Sequence, residues 1–64
     1  MDSMYVVHWT EKTPQGVFTE KMSCYDDLTS ATRDFMKLCR NDITLNARIM
    51  WGDTIIEEYR RDFI

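Results

Sequence analysis

The sequence predicts an α+β domain in which one amphipathic helix packs on one face of an antiparallel four-stranded sheet. The predicted order is β-β-α-β-β. Three observations support it: strand-like runs on both sides of a central segment, turn residues within each flank, and helical spacing of apolar residues in that segment. With 64 residues, 44% of them hydrophobic, the chain is predicted to form a single small domain spanning 1–64.

The first hairpin is predicted from β-branched and aromatic residues near the start of the sequence. Residues 4–10 and 17–22 have strand-like composition. Pro14 and Gly16 lie between these two segments and indicate a turn. The two strands are therefore expected to pair through a loop of several residues.

The central helix is predicted to run from about Ser23 to Arg40. Ser23-Cys24-Tyr25-Asp26 matches the [ST]-x-x-[DE] capping box, which predicts Ser23 as the N-cap. Arg40 favours the helix C-terminus, and Asn41-Asp42 indicates the stop. The apolar stripe of this helix consists of Leu28, Ala31, Thr32, Phe35, Leu38 and Cys39.

The second hairpin is predicted from residues 46–51 and from Thr54 to Tyr59. Gly52-Asp53 between them is typical of a two-residue hairpin turn. One helix, about 10 Å wide, covers only one face of the resulting sheet. The residues expected to face the helix are Tyr5, Val7, Trp9, Ala47, Ile49 and Trp51.

The opposite sheet face carries more apolar residues than a solvated face needs, which indicates a surface for another protein. The predicted partner-binding residues on this face and on the C-terminal tail are Met4, Val6, His8, Met50, Ile56 and Phe63. The alternative is that the tail, with Phe63 and Ile64, folds over the face and covers it. A secondary candidate surface is formed by the outer charges of the helix: Asp27, Arg33, Asp34 and Lys37.

The candidate chemical groups do not form a catalytic or metal-binding pattern. His8 is the single histidine and has no nucleophile at a readable spacing, so the sequence predicts no enzyme activity. Cys24 and Cys39 bracket the predicted helix, about 22 Å apart at 1.5 Å per residue, and are predicted to be free thiols. No metal site and no cofactor are expected.

Charge and hydropathy argue against two classes of partner. The net charge of −3 disfavours sequence-independent binding to nucleic acid. Arg60-Arg61, with Tyr59 and Phe63 nearby, is the one basic-aromatic cluster, and with Arg48 it leaves a small nucleic-acid-binding regulatory domain as an alternative. The apolar runs are too short to span a bilayer and no secretory leader is recognisable, so a cytoplasmic location is predicted.

One stretch resembles a known family. Val17-Phe18-Thr19-Glu20-Lys21, followed by Asp26-Asp27-x-x-x-Ala31-Thr32-x-x-Phe35, resembles Dmd, the toxin-neutralising antitoxin family of T-even phages. The match lies within residues 17–35 and does not extend into the C-terminal half. As a small, acidic chain, the protein also resembles the early proteins of lytic phages that bind and block host proteins. The Dmd resemblance implies a non-enzymatic antitoxin that occludes the active site of a host ribonuclease toxin.

The leading hypothesis is therefore a non-enzymatic protein-binding module that acts by steric occlusion. Its expected partner is a host protein, in the host cytoplasm if a phage encodes the chain, or a second copy in a homodimer. The antitoxin and the nucleic-acid-binding domain are the alternatives, and no membrane association is expected.

Overall fold

The computed structural model describes residues 4–61 and confirms the predicted fold class. The elements are β1 (Tyr5–Lys12), β2 (Phe18–Tyr25), α1 (Leu28–Arg40), β3 (Thr44–Trp51) and β4 (Thr54–Arg60). The strands form one antiparallel sheet in the order β2-β1-β3-β4. Pairing of β1 with β3 therefore joins the two hairpins, and β2 and β4 are the edge strands.

The core lies between the helix and the two central strands. Helix α1 packs mainly over β3 and β1 and has less contact with β2. The apolar stripe of the helix packs against alternate residues of both central strands. Of the six residues predicted to face it, Val7, Ala47 and Ile49 are buried and Tyr5 and Trp9 are partly buried, but Trp51, at the end of β3, is 46% exposed. The buried apolar residues are Val7, Ala31, Phe35, Leu38, Ala47 and Ile49.

The helix begins at Leu28, so the predicted start at Ser23 is wrong. Strand β2 continues through Ser23 to Tyr25 because all eight of its residues pair with β1. Asp27 is the actual N-cap: its Oδ1 accepts a hydrogen bond of 2.6 Å from the backbone N–H of Ser30. That hydrogen bond holds the pKa of Asp27 below its ordinary value of 3.8.

An arginine beyond β4 satisfies carbonyls at the C-terminal end of the helix. Arg61 Nη1 donates to the carbonyl of Asp42 at 2.6 Å, and Nη2 donates to those of Asn41 and Cys39 at 3.2 and 3.4 Å. Its Nε also donates to the Tyr59 hydroxyl at 3.1 Å. A helix end leaves such carbonyls without intrahelical partners. Arg61 thereby ties the end of β4 to the end of α1.

Both cysteines are free, as predicted. The predicted reason was wrong, because Cys24 is not at the start of the helix and the helix covers only part of the segment between the two cysteines. Cys24 lies in β2, opposite Val6, on the sheet face that points away from the helix. Cys39 lies on the helix, where burial raises the pKa of its thiol. The two thiols are therefore on opposite sides of the sheet.

Candidate functional site

The sheet face opposite the helix is built from all four strands, and the helix leaves it uncovered. We call it the open face. It is formed by the residues that alternate with buried Val7 and Ile49 along the strands, and by their cross-strand partners. The strand register arranges twelve of them in three rows across the sheet, and these rows differ in polarity.

The first row is apolar across all four strands. From β4 to β2 it consists of Ile55, Met50, Val6 and Cys24. Val6 and Met50 are half-buried, and Ile55 is 49% exposed. Side chains directly opposite each other on neighbouring strands have Cβ atoms about 4.5–5.5 Å apart, so this row forms one continuous apolar strip. Met4, which is exposed and lies directly before β1, has the same strand parity as Val6 two positions later.

The second row is mixed. It runs through Glu58, Arg48, His8 and Met22. Arg48 lies between the carboxylate residue Glu58 and His8, whereas Met22 is 58% exposed at the β2 edge. The residues directly beside His8 in its row are thus an arginine and a methionine. Neither of them is a nucleophile or an orienting acid for a histidine base.

The third row is polar. It consists of Arg60, Asn46, Thr10 and Glu20. A shallow concavity of about 310 Å³ lies between the second and third rows, and His8, Met22, Asn46 and Arg48 are among the residues that line it. The open face therefore changes from apolar to polar along the strand direction. The polar residues therefore border the apolar row on one side, as polar residues commonly do at the margin of a protein interface.

A β-bulge in β4 changes one of the predicted positions. Ile49 pairs with Glu57, but the next residue of β3, Met50, pairs with Ile55. Ile56 is therefore the extra residue of the bulge, and Ile55 takes the place on the open face that the sequence assigned to Ile56. A bulge shifts the alternation of side chains by one position, which regular alternation does not reveal.

The structure brings together three of the predicted partner-binding residues. Val6, His8 and Met50 are neighbours on the open face, and Met4, directly before β1, has the same strand parity. Phe63 lies outside the described residues, as does Ile64, so the predicted cover by the tail also falls outside them.

Three open-face residues were missed by the sequence reasoning: Met22, Cys24 and Ile55. Met22 and Cys24 were assigned to a strand end and to the helix. The register between β1 and β2 would have identified both, since it places Met22 opposite His8 and Cys24 opposite Val6.

Two of the helix charges that formed the secondary candidate surface have structural partners. Asp27 caps the helix. Asp34 is half-buried beside the hydroxyl of Tyr25, and its carboxylate raises the pKa of that tyrosine. Arg33 and Lys37 are exposed. This surface is thus less continuous than the sequence suggested.

The Arg60-Arg61 cluster is also divided by the fold. Arg61 is engaged with the helix end, and Arg60 lies on the open face, 3.5 Å from the carboxylate of Glu58. Among residues 4–61, no three His, Cys, Asp or Glu side chains converge as ligands for a metal ion would.

Comparison with protein-family models, with curated proteins and with solved structures finds no match to this chain. Within the described part of the chain, no helix is both long and apolar enough to cross a membrane. Arguments about function therefore rest on the surface itself.

Proposed function

We propose that the protein is a non-enzymatic binding module that docks another protein on its open face and occludes it. The observation that carries this proposal is the apolar row of Ile55, Met50, Val6 and Cys24 on the face away from the helix. In a domain of this size, apolar side chains that could complete the core instead extend across a second surface. Contiguous exposed apolar surface of this kind is typical of protein-binding sites.

The arrangement around this row supports a docking role. The half-buried side chains of Val6 and Met50 are flanked by exposed Ile55 on one side and exposed Cys24 on the other. Interface anchors are commonly apolar side chains of this kind, and neighbouring contacts exclude water from them. Arg48, Asn46 and Thr10 provide polar groups of that kind on the same face.

A narrower form of the proposal is an antitoxin that blocks a ribonuclease of the host. Val17 and Phe18, which carry part of the resemblance to the Dmd family, are 57% and 64% exposed. Phe18 begins β2 at the polar end of the open face, opposite Lys12. Phe18 is therefore accessible to a partner that contacts this face, whereas Val17 lies just outside the strand.

The test compares charge-introducing variants on and off the open face. The tagged protein is used to capture partners from a bacterial lysate, and a stoichiometric partner is identified by mass spectrometry and purified. Met50→Lys and Ile55→Lys are expected to weaken its binding by about 10-fold or more in calorimetry, because each places a charge in the apolar row. Met36→Lys, on the exposed side of the helix, is the control and should bind normally.

Binding that survives both open-face variants would overturn the proposal, as would loss of binding in the helix control alone. Circular dichroism of each variant shows whether the fold is retained. Where the partner is a ribonuclease, cleavage of a labelled RNA should be inhibited by the unaltered protein and not by Ile55→Lys. A captured ribonuclease that still cleaves RNA in the complex would contradict the antitoxin form.

A further inference from the structure

We propose that the free edge of β2 pairs antiparallel with β2 of a second copy, so that two sheets become one continuous eight-stranded sheet. This inference concerns an edge of the sheet rather than its face, and it does not depend on the proposed function.

Among residues 4–61, no strand pairs with the outer edge of β2, whose backbone therefore presents a row of hydrogen-bonding groups. Lys12 N–H donates to Ile43 on the β3 side of β1, whereas Thr13 N–H donates to Val17 on the β2 side. Main-chain groups alternate in direction along an antiparallel strand, so the odd-numbered residues of β1 and their odd-numbered partners in β2 face each other. The even-numbered residues of β2 therefore direct N–H and C=O away from the sheet: Phe18, Glu20, Met22 and Cys24.

The two edges of the sheet are not equivalent. Strand β4 carries the bulge at Ile56 and three charged residues, Glu57, Glu58 and Arg60. Bulges and charges are devices that prevent edge pairing. Strand β2 also carries two charges, Glu20 and Lys21, but they are of opposite sign and the strand has no bulge. It pairs with β1 over all eight residues without a shift of register, which leaves a regular edge for another strand.

The side chains of β2 favour its own copy as the occupant. A two-fold axis perpendicular to the sheet keeps side chains on their own face and pairs outward-directed residues with outward-directed residues. Centring on Met22 places Met22 opposite Met22 of the second copy, Glu20 opposite Cys24 and Lys21 opposite Ser23. No two like charges are then directly opposed.

The neighbouring register is less favourable. Centring the axis on Lys21 places two lysines directly opposite each other, where like charges destabilise a strand pair. The Met22-centred register also covers a side chain that is 58% exposed in the single chain. The two open faces then lie on the same side of the extended sheet.

The first test is the mass of the protein in solution as its concentration is raised. Sedimentation equilibrium should show a shift from 7.7 kDa towards twice that value. Met22→Lys is expected to weaken association by about 10-fold or more, because it opposes two like charges at the centre of the interface. The matched control is Met36→Lys, since Met36 is similarly exposed, at 49%, but lies on the helix. A monomer at every concentration, or equal weakening by both variants, overturns the proposal.

The second test reports the register through the native thiol of Cys24. In the Met22-centred pair, residue 20 lies opposite Cys24 of the second copy with Cα atoms about 5.5 Å apart, within reach of a disulfide. Glu20→Cys should therefore give a covalent dimer under mild oxidation, and adding Cys24→Ser should abolish it. Phe18→Cys is the counterpart for the Lys21-centred register. Preferential cross-linking of Phe18→Cys overturns the Met22-centred register, as does cross-linking of neither variant, whereas a monomer at every concentration in the first test overturns edge pairing itself.

Failure of this inference is distinguishable from failure of the proposed function. Partner binding is measured with variants at Met50 and Ile55, and edge pairing with variants at Met22 and Glu20. A protein that binds its partner in calorimetry but is a monomer at every concentration in sedimentation refutes edge pairing and leaves the proposed function standing.

Discussion

The two faces of the sheet are built from alternate residues of the same strands, yet the helix covers only one of them. Ile49 and Met50 are neighbours in β3; Ile49 is fully buried beneath the helix, and Met50 lies half-buried on the open face. The helix-covered face holds the fold together through one compact apolar cluster. Apolar composition alone therefore does not assign a side chain to the core. Its burial depends on which face of the strand it lies on and on whether the helix packs over that face.

The largest expected effect on stability comes from truncating Ile49, and truncating its neighbour Met50 is the comparison. Ile49→Ala should lower the free energy of unfolding by about 2–5 kcal/mol, because it removes buried methyl groups and leaves a cavity. A domain of this size has only about 3–5 kcal/mol to lose, so this variant should be largely unfolded. Met50→Ala should lower it by less than about 1 kcal/mol. Urea unfolding followed by circular dichroism measures both, and equal losses would contradict the distinction between the faces.

The second prediction extends the comparison to two adjacent arginines. Arg61→Met should destabilise the protein by about 1–2 kcal/mol, since the helix-end carbonyls lose a charged donor. Arg60→Met should change stability by no more than about 0.5 kcal/mol, because its ion pair with Glu58 is exposed. Thermal unfolding of the two variants checks this, and an equal or larger loss for Arg60→Met than for Arg61→Met would contradict the difference between the two arginines.

A third, smaller effect is expected from a polar group on the helix-covered side. Thr44 is fully buried, and its hydroxyl has no hydrogen-bond partner among the described residues. Thr44→Val should therefore raise the free energy of unfolding, by up to about 1 kcal/mol, because it removes an unsatisfied polar atom. Thr10→Val on the half-buried open face should leave it nearly unchanged. Urea midpoints measure the pair, and destabilisation by Thr44→Val would indicate that its hydroxyl is satisfied in solution.

The smallest expected effect concerns the start of the helix and depends on pH. The pKa of Asp27 is lowered in the folded state by its hydrogen bond to the Ser30 N–H. Its contribution is therefore complete above the unfolded pKa and is lost as pH falls through the lower folded value. Asp27→Ala should lower the melting temperature at neutral pH, and the difference from the unaltered protein should narrow below pH 3.8. Asp26→Ala is the neighbouring control. An equal loss of melting temperature in Asp26→Ala, or a loss in Asp27→Ala that does not depend on pH, would contradict the assignment of Asp27 as the cap.

Much of the fold was predictable from local patterns. Alternation identified Val7, Ala47 and Ile49 as core residues, and helical spacing identified Phe35 and Leu38. These residues obey the simple periods of strands and helices because one face of each element meets the core. Gly52 was also found in its expected turn, where its positive φ of 61° is easily adopted by a residue without a side chain.

The predictions that were wrong concern features that depend on pairing between distant segments of the chain. Ser23 has a convincing capping pattern, but β2 extends past it because β1 offers partners as far as Tyr25. The shift from Ile56 to Ile55 arises from a bulge that only the pairing of β3 with β4 defines. In the candidate site, alternation alone predicts Val6, His8 and Met50. Placing Met22 and Cys24 on the same face requires the register between β1 and β2.

The contacts of Arg61 have a consequence for the order of events in folding. Arg61 binds carbonyls 19 to 22 positions earlier in the chain, and we expect these hydrogen bonds to form late, after β4 has paired and brought Arg61 to the helix end. Interactions made after the transition state affect the unfolding rate far more than the refolding rate. In stopped-flow experiments, Arg61→Met should therefore speed unfolding and leave refolding almost unchanged. The residue that closes the structure would then set the lifetime of the native state rather than the speed of its formation.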